Sequence, residues 1–519
     1  MWAYPEIRLI GDTLTFHARR TPNKLALACN ERHASYSETD QLTNKYAHGI
    51  RAAGVRGGDR VVFLGKNSFD YFIALYGTAK AGACFVPLNW RLAPVELAAV
   101  VLNADCRLAI VERESEGMWR QICATAGIAP DTVFIDPENT LVKWSTHESG
   151  DTLKLHIRED NPVLLLYTSG TTGIPKGVIH THASFNHSRL SEHFERAYDW
   201  RDGDLFLNPL PNFHLLHIAL SLQCLYNGVA ISIQRLFDPG ALLAGIEAQR
   251  PSLLVLTPTM IQIMLNHSSA PKTDFSSVRL TMYAGSPISL GLIKRAMSMM
   301  PGKFMQFYGQ TETSGPVSLL RPDEHNLEDE NKLKSCGRPL PLINLRIVDA
   351  RGREVPDGEP GELLVSAPAA TAGYWGQSDL TDARFQNGWY RTADVAYRDS
   401  EGLYYIYDRA DDKIITGGEN VYSTEVESAI SLHPAVAAVA VIGVPDARWG
   451  EAIKAIVVLR EGQVPDADTI IAHCRSRLAG YKVPKSIEFI EGMPLTGTGK
   501  ISKKVLRDPY WKDQQRSVA

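Results

Sequence analysis

The sequence predicts an α/β protein of two domains. One is a large N-terminal domain of mixed and parallel sheets with helices, carrying a β-rich subdomain. The other is a small α+β C-terminal domain. Three observations carry this reading. The chain has 519 residues, too many for one hydrophobic core. Short β-like runs alternate with longer helical patterns, the rhythm of largely parallel sheets. The texture then changes near Asn344, and again after Asp408 and Arg409.

Taken in order, Arg60–Leu64 (RVVFL) reads as a strand, 71–81 as an amphipathic helix and 84–86 as a second strand. Residues 97–102 are helix-like and 108–111 strand-like. The apolar run 163–166 reads as a buried strand, and 205–207, 229–233 and 253–256 repeat the theme. Beyond 344, strands at 345–348 and 362–365 are separated by Gly, Pro and Asp turns, which predicts the β-rich subdomain. The last part holds a helix at 423–431, strands at 436–442 and 455–459, and a helix near 468–478, a compact unit of domain size. The expected division is therefore 1–408 and 409–519.

Composition excludes several classes of function. Hydrophobic residues at 44% and charged residues at 22% match an ordinary soluble globular protein. A net charge of −4 and a pI near 6.4 give no sign of a nucleic-acid or anionic-membrane partner. The seven cysteines are scattered and form no CxxC pair, which argues against a disulfide framework and against zinc. The longest apolar run, 436–444, suits a core strand and is too short for a membrane span. Charged residues at Glu6, Arg8, Asp12, Arg19 and Arg20 predict no secretory leader, so the expected compartment is the cytoplasm.

The chemistry concentrates in 167–177, YTSGTTGIPKG, directly after the strand-like run 163–166. Its Ser, Thr, Gly and Lys residues supply hydroxyls, closely approaching backbone N–H groups and an ammonium, a set that can surround polyphosphate oxygens. It is not a Walker A loop, because no Gly-Lys-Ser or Gly-Lys-Thr stands at the required spacing. A surface turn rich in Gly, Ser and Thr is the bland alternative. The length of the run and its Pro-Lys-Gly ending weigh against that.

Further motifs extend the pattern: YGQTE at 308–312, YRTAD at 390–394, DRADDKIITGGENVYSTEVE at 408–427 and PLTGTGKISKKVLR at 494–507. Together with the loop at 167–177 they make the chain resemble the AMP-forming acyl-CoA synthetases of the adenylate-forming (ANL) superfamily, in particular fatty-acyl-CoA ligases. The motifs occur in the family's order across most of the chain. The resemblance implies a ligase acting on a carboxylic acid, with ATP and CoA as co-substrates and Mg²⁺ as the metal. It implies acyl-AMP and pyrophosphate first, then acyl-CoA and AMP.

The resemblance also implies roles, each of which suits the chemistry of its residue. Thr168, Ser169, Gly170, Thr171, Thr172 and Lys176 match the loop that holds the β- and γ-phosphates. Thr311 matches an α-phosphate contact, and Glu312 the carboxylate that holds Mg²⁺, a hard cation suited to one carboxylate plus phosphate oxygens. Asp394 and Arg409 match the ribose contacts, since a carboxylate accepts hydrogen bonds from both vicinal hydroxyls. Tyr308 offers an aromatic face to adenine, with Gly285, Ser286 and Pro287 lining the other side. Lys500, on a glycine-flanked loop, matches the lysine that reaches the α-phosphate and the attacking carboxylate, where a point charge suits shared negative charge. Asp411 matches the hinge about which the C-terminal domain turns, exchanging Lys500 for Gly417 and Gly418 beside the pantetheine path. His214 matches the gate between acyl and CoA channels.

By the same analogy the acyl pocket is lined near 212–217, 282–286, 307–309 and 313–317. These segments are apolar or small and hold no arginine, so the expected acid has a neutral apolar tail, either a medium-to-long fatty chain or an aryl or alicyclic group. Gly309 and Gly315 are expected to leave room there. The rival reading is a stand-alone adenylation enzyme that loads a carrier protein. A homodimer is left open, and no integral membrane segment is expected.

Overall fold

The computed structural model describes residues 4–136, 140–168, 175–409, 412, 414–416, 419–446, 448–496 and 500–511, with the side chains of residues 140, 142, 408, 409 and 420 also outside the description. Two large sheets dominate the first part of the chain. The first has six strands in the order Asp131–Ile135, Cys106–Glu112, Arg60–Leu64, Cys84–Pro87, Pro162–Thr168, Lys176–Thr181. All neighbours are parallel except the last pair, an antiparallel hairpin. The second sheet has nine strands, parallel through its centre and antiparallel at both edges. Mixed sheets with parallel centres are what the sequence predicts.

The parallel strands read as unbroken apolar runs because helices cover their faces. Leu253–Leu256 and Leu280–Ala284 are buried at every position. The connecting helices begin where a side chain can cap them. Ser35 and Glu38 form a capping box for Tyr36–Ala52, and Ser68, Thr257 and Ser289 each accept a first-turn N–H. The predicted helix at 71–81 is Phe69–Lys80, and that at 97–102 is Pro94–Ala104. Pro94 at the first helical position extends this second helix beyond its apolar run.

The β-rich subdomain is a five-stranded antiparallel sheet containing Asn344–Val348, Gly361–Ser366, Trp389–Arg398 and Tyr404–Arg409. A further five-stranded sheet starts at Ile414–Thr416, and its long hairpin Val436–Asp446 with Gly450–Leu459 packs against Ser423–Ser431 around a separate core. The hairpin strands run further than the predicted 436–442 and 455–459. Their ladder continues to the Asp446↔Gly450 pair although its outer residues are polar. Among the described residues, no helix is long and apolar enough to cross a membrane.

Candidate active site

The hairpin Pro162–Thr168 and Lys176–Thr181 carries the glycine-rich loop and sets Thr168 opposite Lys176 in its antiparallel register. Ser169, Gly170, Thr171 and Thr172 lie outside the described residues. The segment 371–375 runs along the outer side of this hairpin. Trp375 N–H donates to the Gly177 carbonyl at 2.7 Å, and Ile179 N–H to that of Gly373 at 3.0 Å. The same segment reaches Glu312. Thr371 N–H donates to the Glu312 carbonyl at 2.8 Å, and the Tyr374 hydroxyl to its Oε1 at 2.9 Å. One strap therefore hydrogen-bonds both to the strand that begins at Lys176 and to Glu312.

Glu312 sits in the short turn Thr311–Thr313 that follows the strand Lys303–Tyr308. Among the described residues no group of three or more metal-ligating side chains occurs. Glu312 is half-buried, with one oxygen engaged by Tyr374. A single carboxylate of this kind fits Mg²⁺ shared with nucleotide phosphates, since that ion keeps most of its ligands from water and phosphate.

Asp394 is buried on Trp389–Arg398 and pairs with Arg409 across the sheet. Its Oδ2 accepts from the Tyr308 hydroxyl at 2.6 Å and from Gln310 Nε2 at 2.7 Å, while Gln310 Oε1 accepts from the Tyr390 hydroxyl at 2.6 Å. The motifs YGQTE and YRTAD are thus one hydrogen-bonded unit. Nothing is described of the Arg409 side chain.

Gly285 ends the strand Leu280–Ala284 with φ of +97°, a conformation that glycine takes without strain. A Cβ there would stand 3.5 Å from Lys500 Cε, so the C-terminal lysine lies over the bare backbone of Gly285. Ser286 follows half-buried and Pro287 exposed. Asp411, Gly417 and Gly418 fall outside the described residues. Neighbouring Asp412 accepts from Arg507 Nη1 at 2.8 Å.

His214 precedes the helix Leu215–Tyr226, half-buried, with its ring 4.5 Å from that of Phe213. The loop before it is pinned by the Tyr71 hydroxyl, which donates to the Asn212 carbonyl at 2.7 Å. His180, His182 and His217 are interior residues. Burial holds each well below the ordinary histidine value, at about 3.

The model of a family described as AMP-binding enzyme matches residues 14–375, and that of the AMP-binding enzyme C-terminal domain matches 425–500. The chain belongs to the AMP-binding enzymes. Among its relatives is a fatty acid--[acyl-carrier-protein] ligase, ScoC, of Streptomyces coeruleorubidus, 35% identical over 99% of both chains. A feruloyl-CoA synthase of an Amycolatopsis species is 37% identical over 96% of this chain and 98% of its own. Among solved structures, the anthranilate CoA ligase AuaEII in complex with anthranoyl-AMP superposes with a TM-score of 0.89 at 26% identity, over 98% of each chain. This AMP-binding enzyme is an AMP-forming acid–thiol ligase that works through an acyl-adenylate.

One expectation about the acyl region changes. Gly309 and Gly315 leave no room, because protein already fills it. A Cβ at Gly309 would stand 2.5 Å from the Gly315 carbonyl oxygen, and one at Gly315 would stand 2.4 Å from Ser188 Oγ. Ser188 lies on the helix His182–His193, which also carries buried Arg189, while the segments named for the acyl pocket contain no arginine. The AMP-binding enzyme motifs did not single out Tyr374 either. Its only signal was an aromatic residue after Gly373 in a stretch of small residues.

Proposed function

We propose that this enzyme joins a carboxylic acid with an apolar medium-to-long or aryl body to the thiol of coenzyme A. In the first half-reaction a carboxylate oxygen of the acid attacks the α-phosphorus of ATP. The new P–O bond forms as the α–β bridge breaks and pyrophosphate leaves. In the second, the thiol gives up its proton, its sulfur attacks the acyl carbon, and AMP departs with the mixed-anhydride oxygen.

The observation that carries the reading is Lys500 lying over Gly285, next to the strand that leads to Tyr308 and Glu312. Negative charge grows on the phosphate oxygens in the first transition state, and a fixed ammonium there is worth most where water is excluded. Thr311 is assigned to the α-phosphate, and Thr168, Lys176 and the loop between them to the β- and γ-phosphates. Glu312 would hold Mg²⁺, which supplies charge neutralisation on the phosphates. Asp394 would take the ribose hydroxyls, already oriented by Tyr308 and Gln310. Tyr308 and Gly285 would face the adenine, and His214 the junction of acyl and CoA paths. Asp411 is assigned to the hinge, and Gly417 and Gly418 to the pantetheine path.

The carrier-protein reading keeps a specific support, the full-length similarity to ScoC. AMP release from ATP and Mg²⁺ with a panel of acids decides between them. CoA-dependent turnover yielding acyl-CoA is the expected result. Turnover that CoA leaves unchanged, but that an acyl carrier protein accelerates, would replace CoA with the carrier.

A further inference from the structure

We propose that a buried polar cluster behind the acyl segments, built on Arg189, Glu192 and Gln223, is a subsite for a second carboxylate at the far end of the acid being activated. The proposal rests on the ligase reading above and names the substrate class of that same site.

Arg189 is 4% exposed, and its Nε, Nη1 and Nη2 hydrogen-bond to no acceptor among the described residues. Its guanidinium lies 4.7 Å above the Tyr226 ring, a contact that holds the group flat without neutralising it. Glu192, one turn further on the same helix, is equally buried. Its Oε1 accepts from Trp200 Nε1 at 2.6 Å, and its Oε2 has no partner among the described residues. Burial pushes the Glu192 carboxyl up to about 8 while the nearby Arg189 pulls it down, and Glu192 and Asp12 are the carboxyls that attract the guanidinium. Gln223, 3% exposed, has both amide atoms unpartnered among the described residues, and the hydroxyls of buried Tyr76 and Tyr198 are in the same condition there.

This cluster is continuous with the acyl region. Tyr198 stacks on Phe307 with ring centroids 5.7 Å apart and on Trp200 at 5.6 Å. Phe307 immediately precedes Tyr308, and Trp200 leads to Glu192. Ser188, next to Arg189, abuts Gly315. Gln223 is on the helix that starts beside His214, so it stands about 13 Å along that axis from the proposed acyl junction. A medium-length body would bridge that span.

Buried polar atoms in folded proteins are paired, and an unpaired interior cation is costly. Buried waters could satisfy Gln223 and the hydroxyls, whereas a guanidinium whose three nitrogens meet no acceptor among the described residues is best met by an anionic one. A carboxylate accepts a bidentate pair of bonds from the guanidinium, with the Gln223 amide as a further donor.

The test compares dodecanedioate with dodecanoate as substrates for AMP release, in the wild-type enzyme and in Arg189→Met, Arg189→Lys and Gln223→Leu. The expected result is at least a tenfold higher kcat/KM for the diacid in wild type. That ratio should fall tenfold or more in Arg189→Met and less in Arg189→Lys. Dodecanedioate should also raise the melting temperature of the wild type more than that of Gln223→Leu, which keeps the test intact if Arg189→Met does not fold. Turnover of dodecanoate with no preference for the diacid, or a ratio unmoved by the variants, would overturn the subsite alone. No AMP from any acid would overturn the ligase reading and the subsite with it.

Discussion

Glu312 presents its carboxylate through Tyr374, whose hydroxyl holds Oε1 at 2.9 Å across a sequence separation of 62 residues. Tyr374→Phe removes that bond and little else, so the Mg²⁺ concentration for half-maximal AMP formation should rise about tenfold, the scale of one charge-assisted hydrogen bond. A Mg²⁺ titration at saturating ATP checks this, and an unchanged requirement would detach Tyr374 from the metal. The Tyr390–Gln310–Asp394 chain makes a parallel case. Gln310→Leu strands the Tyr390 hydroxyl and loosens Asp394, and should raise KM for ATP about tenfold with a smaller change in kcat. Glu312, Asp394 and Tyr308 were proposed from the sequence because each sits in a short contiguous motif, and the hydrogen bond between Tyr308 and Asp394 shows that two of these motifs meet. Tyr374 and Arg189 were not, since what gives each its place is a contact between segments far apart in the chain.

The helices Tyr36–Ala52 and Phe69–Lys80 pack so closely that a Cβ at Gly77 would stand 2.3 Å from Tyr46 Cδ1 and 2.9 Å from the Thr43 carbonyl. Lys80 seals the pair. Its buried ammonium donates to Asp40 Oδ1 at 2.6 Å, Asn44 Oδ1 at 2.7 Å and Thr43 Oγ1 at 2.8 Å. Removing one partner of a buried ion pair leaves the other unpaired, so Lys80→Ala should lose about 3–5 kcal/mol in a denaturant titration. A loss below about 1 kcal/mol would mean that water reaches Asp40 and replaces the lysine. At this scale the sequence was most informative. Apolar runs marked the central strands, and the helix at 423–431 appears with those bounds. The antiparallel edges were not visible, because edge pairing is decided by the topology of the neighbouring strands. The glycines at 309 and 315 misled for a related reason: a missing side chain signals close approach, and the sequence does not say by what.

Across the whole molecule, the C-terminal unit meets the larger one at defined places. A Cβ at Gly291 would stand 3.2 Å from the Ser431 carbonyl oxygen, Tyr407 stacks on Tyr422 at 4.4 Å, and Lys500 lies over Gly285. Stability should depend on pH from both sides. His180, His182 and His217 stay neutral in the fold down to about 3 but take up protons near 6.5 when unfolded. Their contribution is therefore complete above 6.5 and is lost as pH falls towards 3. Glu192 acts in the opposite sense: its carboxyl ionises near 4.5 unfolded and only near 8 folded, so its contribution fades as pH rises through that window. Urea midpoints measured from pH 4 to 9 should pass through a maximum, and Glu192→Gln should flatten the alkaline side only. The division into a large α/β part and a small α+β part was legible from texture. The place of Lys500 against Gly285 came only from the resemblance, because no local pattern brings residues 215 positions apart together. The two half-reactions of Lys500→Ala test what that contact does. Acyl-AMP formation from ATP and acid should fall by a factor of about 100 or more, the scale of a lost transition-state charge contact, while thioester formation from supplied acyl-AMP and CoA persists. Equal loss in both half-reactions, or none in either, would contradict it.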